Sequence, residues 1–230
     1  MTQIRLESVS RIYGRAFALH RVSLRLESGS LTAVVGDNGA GKSSLLNILA
    51  TLDKPSDGEV FFGEHNWATY AKKGRHKIGW VSHDSLIYAE LSGRENLEFF
   101  ATMYGLNDPA KLSEEWLKKV GLTEAADRLS STYSRGMKQR LTLARALLHQ
   151  PSILLLDEPM TGLDQAGRTL MSALFRQLCD EGCLLVLVTH NLAMLQGLAD
   201  HLVILRRGKL AHTAPLGPDD DILETYRQFA

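Results

Sequence analysis

The sequence predicts an α/β fold interrupted by a helical insertion, and three observations carry the prediction. Short apolar runs lacking polar alternation, among them Leu31-Thr32-Ala33-Val34-Val35 and Ile153-Leu154-Leu155-Leu156, suit central parallel strands covered on both faces. A glycine-rich turn that opens into a helix follows the first of these runs. From about residue 86 to residue 150 the pattern becomes helical, after which the strand-and-helix pattern returns.

The chain has 230 residues, enough for one large or two small domains with a substantial core. Its 44% hydrophobic and 23% charged content is that of an ordinary globular protein. Lys plus Arg total 26 and Asp plus Glu total 26, so no global charge footprint points to nucleic acid, and none is expected as a partner. The N-terminal Met1-Thr2-Gln3-Ile4-Arg5-Leu6-Glu7 has neither a long apolar core nor a small-residue cleavage site, which argues against a signal peptide. The longest apolar runs are too short to cross a bilayer, so membrane association is expected only through a partner. Cys179 and Cys183 flank Asp180-Glu181-Gly182 without a Cys/His cluster, which favours two reduced thiols at a helix-to-strand junction and a cytosolic compartment over a metal or redox pair.

Taken in order, residues Gln3 to Val9 and Val22 to Leu26 alternate as strands, with Tyr13 and Gly14 in a loop between them. Leu31 to Val35 is a buried strand, and Ser44 to Leu49 a helix. Lys54-Pro55-Ser56-Asp57-Gly58 is dense in turn formers and leads to a strand end at Val60 to Gly63. Ser92-Gly93-Arg94-Glu95 starts a helix that Gly105 and Pro109 break; Leu112 to Val120 resumes a helical pattern. Ser134 to His149 is a helix with Met137, Leu141, Ala144 and Leu148 on its apolar side. After the Ile153 strand, Leu170, Leu174 and Leu178 line one helix face, and Leu184 to Val188 forms the next buried strand. Two further strands join at Arg207-Gly208, and the acidic start of a last helix follows Pro218; this tail is expected only to pack.

Gly36-Asp37-Asn38-Gly39-Ala40-Gly41-Lys42-Ser43 has the form G-x-x-x-x-G-K-S between a strand and a helix, the context a phosphate-binding loop requires. Glycines let successive backbone N–H groups turn inward on an anion, and the helix start adds its free N–H groups and positive dipole end. Lys42 would lie along the β- and γ-phosphates and the Ser43 hydroxyl would join a Mg²⁺ shell, so the chain is expected to bind a nucleoside triphosphate. The Ile153 strand runs into Asp157-Glu158-Pro159, a carboxylate pair at the strand end where ligands bind in such sheets. Asp157 suits Mg²⁺ as a hard oxygen donor, and Glu158 could polarise a water for in-line attack on the γ-phosphate.

A third element, Tyr133-Ser134-Arg135-Gly136-Met137-Lys138-Gln139-Arg140, opens the helix after the insertion. The order of phosphate loop, helical insertion, serine-glycine turn, apolar-Asp-Glu strand and post-strand histidine resembles that of the ATP-binding-cassette (ABC) ATPases, from Tyr13 to about Gly208. The resemblance implies a P-loop NTPase (RecA-like) core with an antiparallel β subdomain. Residues 1–85 and 151–230 would form the core, and residues 86–150 a helical subdomain carrying the signature. It implies that Tyr13 stacks on the adenine and that Gly36 to Ser44 form the Walker A loop, with Ser44 a further phosphate contact. Asp157 and the catalytic Glu158 would be the Walker B pair, and His190 the switch histidine on the γ-phosphate. Gly162-Leu163-Asp164 would be the loop between two sites, with Ser134 and Gly136 closing on the ATP of a second copy. His83 stands where the family usually has glutamine, so it is expected near Mg²⁺ and nucleotide; neutral histidine imitates glutamine in part, and protonated histidine cannot bind metal. The signature departs too, reading Tyr-Ser-Arg-Gly-Met for Leu-Ser-Gly-Gly-Gln.

The implied function is an ATP-hydrolysing transporter subunit, working with Mg²⁺ as a head-to-tail dimer. It would sit in the cytoplasm, peripheral on the inner face of the cell membrane through an integral membrane subunit. The stretches Gly79 to Asp84, Leu86 to Tyr88, Arg94 to Leu97 and Ser134 to Met137 resemble the ATPase of heme exporters in bacterial cytochrome c maturation. Rival readings are another small-substrate exporter, a non-transport ABC ATPase such as an iron–sulfur assembly factor, and a nucleotide-gated regulatory module.

Overall fold

A computed structural model describes residues 3–82, 85–217 and 220–229. The chain begins with the hairpin β1 (Ile4–Tyr13) and β2 (Ala16–Leu26), then β3 (Leu31–Val35) and the helix α1 (Lys42–Leu49). Next come β4 (Asp57–Phe62), β5 (His65–Asn66), α2 (Trp67–Lys73) and β6 (Ile78–Val81). The insertion supplies α3 (Gly93–Met103), α4 (Pro109–Lys119) and α5 (Arg135–Leu147). The chain closes with β7 (Ile153–Asp157), α6 (Gln165–Asp180), β8 (Leu184–Val188), β9 (His201–Arg206), β10 (Lys209–Pro215) and α7 (Ile222–Phe229).

The strands form a small antiparallel sheet, β2-β1-β4-β5, and a larger one, β10-β9-β3-β8-β7-β6. In the larger sheet β9, β3, β8, β7 and β6 run parallel, and β10 closes one edge as an antiparallel hairpin. The unbroken apolar runs follow from burial on both faces. Ala33, Val35, Leu154, Leu156, Leu185 and Leu187 face the core shared with the insertion and α6, while Val34, Ile153, Leu155, Leu184, Val186 and Val188 face α1 and the small sheet.

Several elements differ from the sequence expectation, each for a local reason. The first hairpin pairs out to Tyr13 and Ala16, past the expected strand ends, because register shifts after Leu6, Val9 and Arg11 interrupt the alternation without ending the strand. Pro109 opens a helix rather than only breaking one: it occupies the first turn of α4, where its missing N–H costs nothing, and the Asp108 side chain accepts from Lys111 N. The buried stripe of α6 is Gly167, Met171, Leu174, Phe175 and Cys179, whereas Leu170 is exposed. In α5 the apolar stripe widens until Leu141 to Leu148 are all buried, because the helix passes between the insertion and the sheet. Both cysteines are free and buried at the junction of α6 and β8; burial pushes the Cys179 thiol up to about 11 and the Cys183 thiol up to about 12, which makes them poor nucleophiles near neutrality.

The insertion is fastened to the core along β6 and braced internally at Asn96. At the free edge of β6, α5 covers the outward carbonyls: His149 Nε2 donates to Ile78 O at 3.1 Å, and the Arg145 guanidinium donates to Trp80 O at 3.2 Å while lying over Phe100. Inside the insertion, Asn96 is 1% exposed and its amide donates to Tyr88, Leu91 and Ser92 carbonyls while accepting from Tyr88 N. Asn96→Ala strands these groups without water, and urea unfolding should show a loss of about 2–3 kcal/mol.

Candidate functional site

Parallel pairing brings three strand ends to one edge of the large sheet. Val34 lies opposite Val188 and Val188 opposite Asp157, so the segments after β3, β7 and β8 emerge side by side. The first is the glycine-rich loop. Gly36 has φ 149° and a Cβ there would lie 2.2 Å from Leu205 O; Gly41 has φ 104° and a Cβ would lie 2.3 Å from Ala18 O. Only glycine allows this loop to nest against β9 and β2. Asp37, Asn38 and Gly39 are exposed, Ala40 is buried, and Ser43 and Ser44 stand in the first turn of α1. Lys42 folds back over the loop, its ammonium donating to Gly36 O at 2.7 Å and Asp37 O at 2.8 Å. Burial pulls the Lys42 pKa below its ordinary value, against the opposing pull of Glu158, Asp157 and Asp37. A polyphosphate seated on the loop would place compensating negative charge beside this desolvated cation.

Glu158 follows β7 in a left-handed backbone conformation, φ 51°, with its N–H on Val188 O at 2.9 Å. Its carboxylate is fully engaged with the segment after β8. Oε1 accepts from His190 N at 2.9 Å and lies 2.7 Å from His190 Nδ1, while Oε2 accepts from the Thr189 hydroxyl at 3.0 Å. A carboxylate can only accept, so Nδ1 carries a proton in this contact and Nε2 is left for a further partner. The Thr189 hydroxyl also accepts from Asn191 N at 3.1 Å and is 1% exposed. This contact is not legible in the sequence, because nothing near Thr189 in the chain announces a partner at Glu158.

A cleft of about 590 Å³ contains Asp157, Glu158 and His190 on one side and Arg135, Lys138 and Gln139 of α5 on the other. A smaller hollow of about 230 Å³ joins Gly36, Asp37 and Asn38 to Thr189, His190 and Tyr226. Tyr226 lies on α7, and its hydroxyl donates to Asp37 Oδ1 at 3.0 Å. The tail therefore does more than pack: it touches the phosphate loop.

The signature residues Ser134 and Gly136 flank Arg135, which lines the larger cleft. Ser134 caps α5, accepting from Met137 N at 3.2 Å, and Gly136 packs so closely on the next loop that a Cβ would lie 2.8 Å from Gly162 O. Neither is among the described residues lining the two cavities. Asp164 is exposed and caps α6 by accepting from Gly167 N at 2.8 Å. Tyr13 is 46% exposed at the tip of β1, with its hydroxyl on Asp53 and the Arg11 guanidinium 4.5 Å above its ring centroid. His83 lies outside the described residues.

A sequence model of the family described as "ABC transporter" matches residues 19–161. The chain belongs to the ABC transporter family. It is the ATP-binding subunit of such a transporter, and as an ABC ATPase it binds and hydrolyses ATP. It is 35% identical over 216 residues to the bacitracin transport ATP-binding protein BcrA of Bacillus licheniformis, covering 93% of this chain and 70% of the relative. It is 31% identical over 207 residues to the lantibiotic transport ATP-binding protein SrtF of Streptococcus pyogenes, covering 90% and 88%. Among solved structures, a dimeric post-hydrolysis state of the ATP-binding cassette MJ0796 bound to ADP and Pi superposes with a TM-score of 0.84 at 28% identity, covering 93% of this chain and 99% of that one. The ABC cassette fold anticipated from the motif order is thus the fold observed. No helix among the described residues is long and apolar enough to cross a membrane.

The engagement of Glu158 by Thr189 makes a direct prediction for this ABC ATPase. Thr189→Val removes the donor to Oε2 and the acceptor for Asn191 N; turnover should fall by about tenfold and thermal unfolding should show a loss of about 1–2 kcal/mol. Thr189→Ser keeps the hydroxyl and should restore most of the steady-state ATPase rate.

Proposed function

We propose that the chain hydrolyses MgATP as a head-to-tail pair of copies and drives export through a separate integral membrane subunit. The observation that carries this reading is the Glu158 carboxylate, held at the strand ends beside the phosphate loop by Thr189 and His190. Lys42 spreads its charge over the β- and γ-phosphates, and the backbone N–H groups of Gly36 to Ser44 take the remaining oxygens. Glu158 orients a water for in-line attack on the γ-phosphorus and accepts its proton, and His190 Nε2 reaches the γ-phosphate. Tyr13 stacks on the adenine.

Ser43 and Asp157 are hard oxygen donors of the kind Mg²⁺ prefers. His83, which lies outside the described residues, would be a third protein ligand on this reading, and phosphate and water oxygens would complete the shell. Bound there, Mg²⁺ neutralises charge on the β- and γ-phosphates.

Ser134 and Gly136 of a second copy complete each site, with Asp164 near the seam between them. What supports this is the dimeric state of the MJ0796 cassette, together with the placement of Ser134 and Gly136 outside the lining of the cavities that hold Glu158. On this reading residues 1–85 and 151–230 form the nucleotide core and residues 86–150 a helical unit facing the membrane subunit. The protein would lie on the inner face of the cell membrane. Two observations bear on cargo. The loop wording from Gly79 to Leu97 favours heme, and the names of the relatives, bacitracin and lantibiotic transport ATP-binding proteins, favour antibiotic-type molecules. Export assays on inverted vesicles carrying the complex, with heme and a peptide antibiotic as competing cargo, separate the two.

Glu158→Gln should keep ATP binding, lower turnover by at least about 100-fold and leave an ATP-bound dimer in size-exclusion chromatography; undiminished hydrolysis would remove Glu158 from its role. Substitution of His83 by Ala should abolish stimulation of hydrolysis by the membrane subunit more than it lowers hydrolysis by the isolated chain.

A further inference from the structure

The end of β1 carries a side-chain cluster that joins Tyr13 to two residues outside the motifs, Arg11 and Asp53. Arg11 and Tyr13 lie two residues apart at the end of β1, across a register shift, and their side chains meet. The guanidinium carbon of Arg11 lies 4.5 Å from the Tyr13 ring centroid, covering that face of the ring. Arg11 Nε donates to Asp53 Oδ2 at 3.0 Å and a second guanidinium N–H donates to Oδ1, a two-pronged contact. The Tyr13 hydroxyl donates to the same carboxylate. Asp53 is itself anchored, its N–H reaching Asn47 O at 3.2 Å at the end of the phosphate-loop helix α1. The two charged side chains are each 22% exposed, so the pair is better shielded than an ordinary surface ion pair.

The geometry points to Arg11 and Asp53 as positioning residues for base recognition: together they fix the Tyr13 ring on which the adenine of ATP stacks. This rests on the reading of Tyr13 as the adenine platform. A phenol at the tip of a hairpin would otherwise sample several rotamers, and stacking a base on it would have to bear the cost of ordering it. Here one ring face is taken by the guanidinium, the hydroxyl is tethered, and the remaining ring surface is left in solvent. Because Asp53 belongs to the segment that ends α1, the same tie sets the base platform at a fixed distance from the phosphate loop. Neither residue touches the reacting phosphates, so their effect belongs in affinity for the base-bearing nucleotide and not in the chemical step.

The test compares ATP with inorganic tripolyphosphate, which fills the phosphate loop but has no base. Affinities for both are measured by calorimetry for the unmodified chain and for Tyr13→Ala, Arg11→Ala, Arg11→Lys and Asp53→Ala, alongside steady-state kinetics and thermal unfolding. Arg11→Ala and Asp53→Ala should each weaken ATP about five- to tenfold, as Tyr13→Ala does, with tripolyphosphate affinity held within about twofold. The loss should appear in KM more than in kcat, Arg11→Lys should recover part of it, and the Arg11→Ala/Tyr13→Ala double variant should bind ATP no more weakly than Tyr13→Ala alone. If Tyr13→Ala weakens ATP while Arg11→Ala and Asp53→Ala do not, the positioning role is overturned and the platform reading stands. If Tyr13→Ala leaves ATP affinity intact, the platform reading falls and the positioning role with it. Equal loss for ATP and tripolyphosphate would show that the pair merely braces α1, which also overturns the proposal.

Discussion

The site depends on the parallel hydrogen bonding of β3 to β8 and of β8 to β7. Those ladders place Val34, Val188 and Asp157 in one row, so that Glu158, Thr189 and His190 meet just beyond it and the glycine-rich loop begins beside them. A slip of one residue in either ladder would turn each strand's core side chains to the opposite face and carry Glu158 away from Thr189 and His190. The register is secured by the apolar layers on both faces, so the precision of a polar site is inherited from an apolar core.

Around that row the backbone is held by close approaches that exclude side chains. Gly36 presses on Leu205 and Gly41 on Ala18, so the phosphate loop is seated on two different strands, one in each sheet. Lys42 is desolvated in this seat and leans on carbonyl oxygens, and the Glu158 carboxylate is satisfied by Thr189 and His190.

Much of this was legible in the sequence, and the parts that were not share a cause. The strands β3, β7 and β8 announced themselves because full burial removes polar residues from the run. Helix starts at Ser92 and Ser134 were visible because capping is local. By contrast α2 buries only Tyr70, stacked on Phe62, and β6 is four residues long with a glycine in it, so neither carries enough periodicity to be recognised. The ties of Asp53 to Arg11 and Tyr13, of Thr189 to Glu158 and of Tyr226 to Asp37 join residues far apart in the chain. No spacing rule reports such contacts; only the folded sheet does. Pro109 was a misjudged signal, since Asp-Pro before an apolar pattern is also a helix start.

The contact between Gly136 and Gly162 explains which letters of the signature can drift. Ser134 serves the backbone as a helix cap, and Gly136 serves it by leaving room for the carbonyl of Gly162. Arg135 is exposed and Met137 half-buried, and neither side chain is needed for the turn to form. A signature rewritten as Tyr-Ser-Arg-Gly-Met therefore retains the two letters that shape the main chain; of the three that differ, Arg135 and Met137 leave the turn unchanged, while Tyr133 is buried and its hydroxyl donates to Ala125 O. From Ser134 to Met137 tolerance to mutation should alternate residue by residue, with backbone crowding alone enough to set the period.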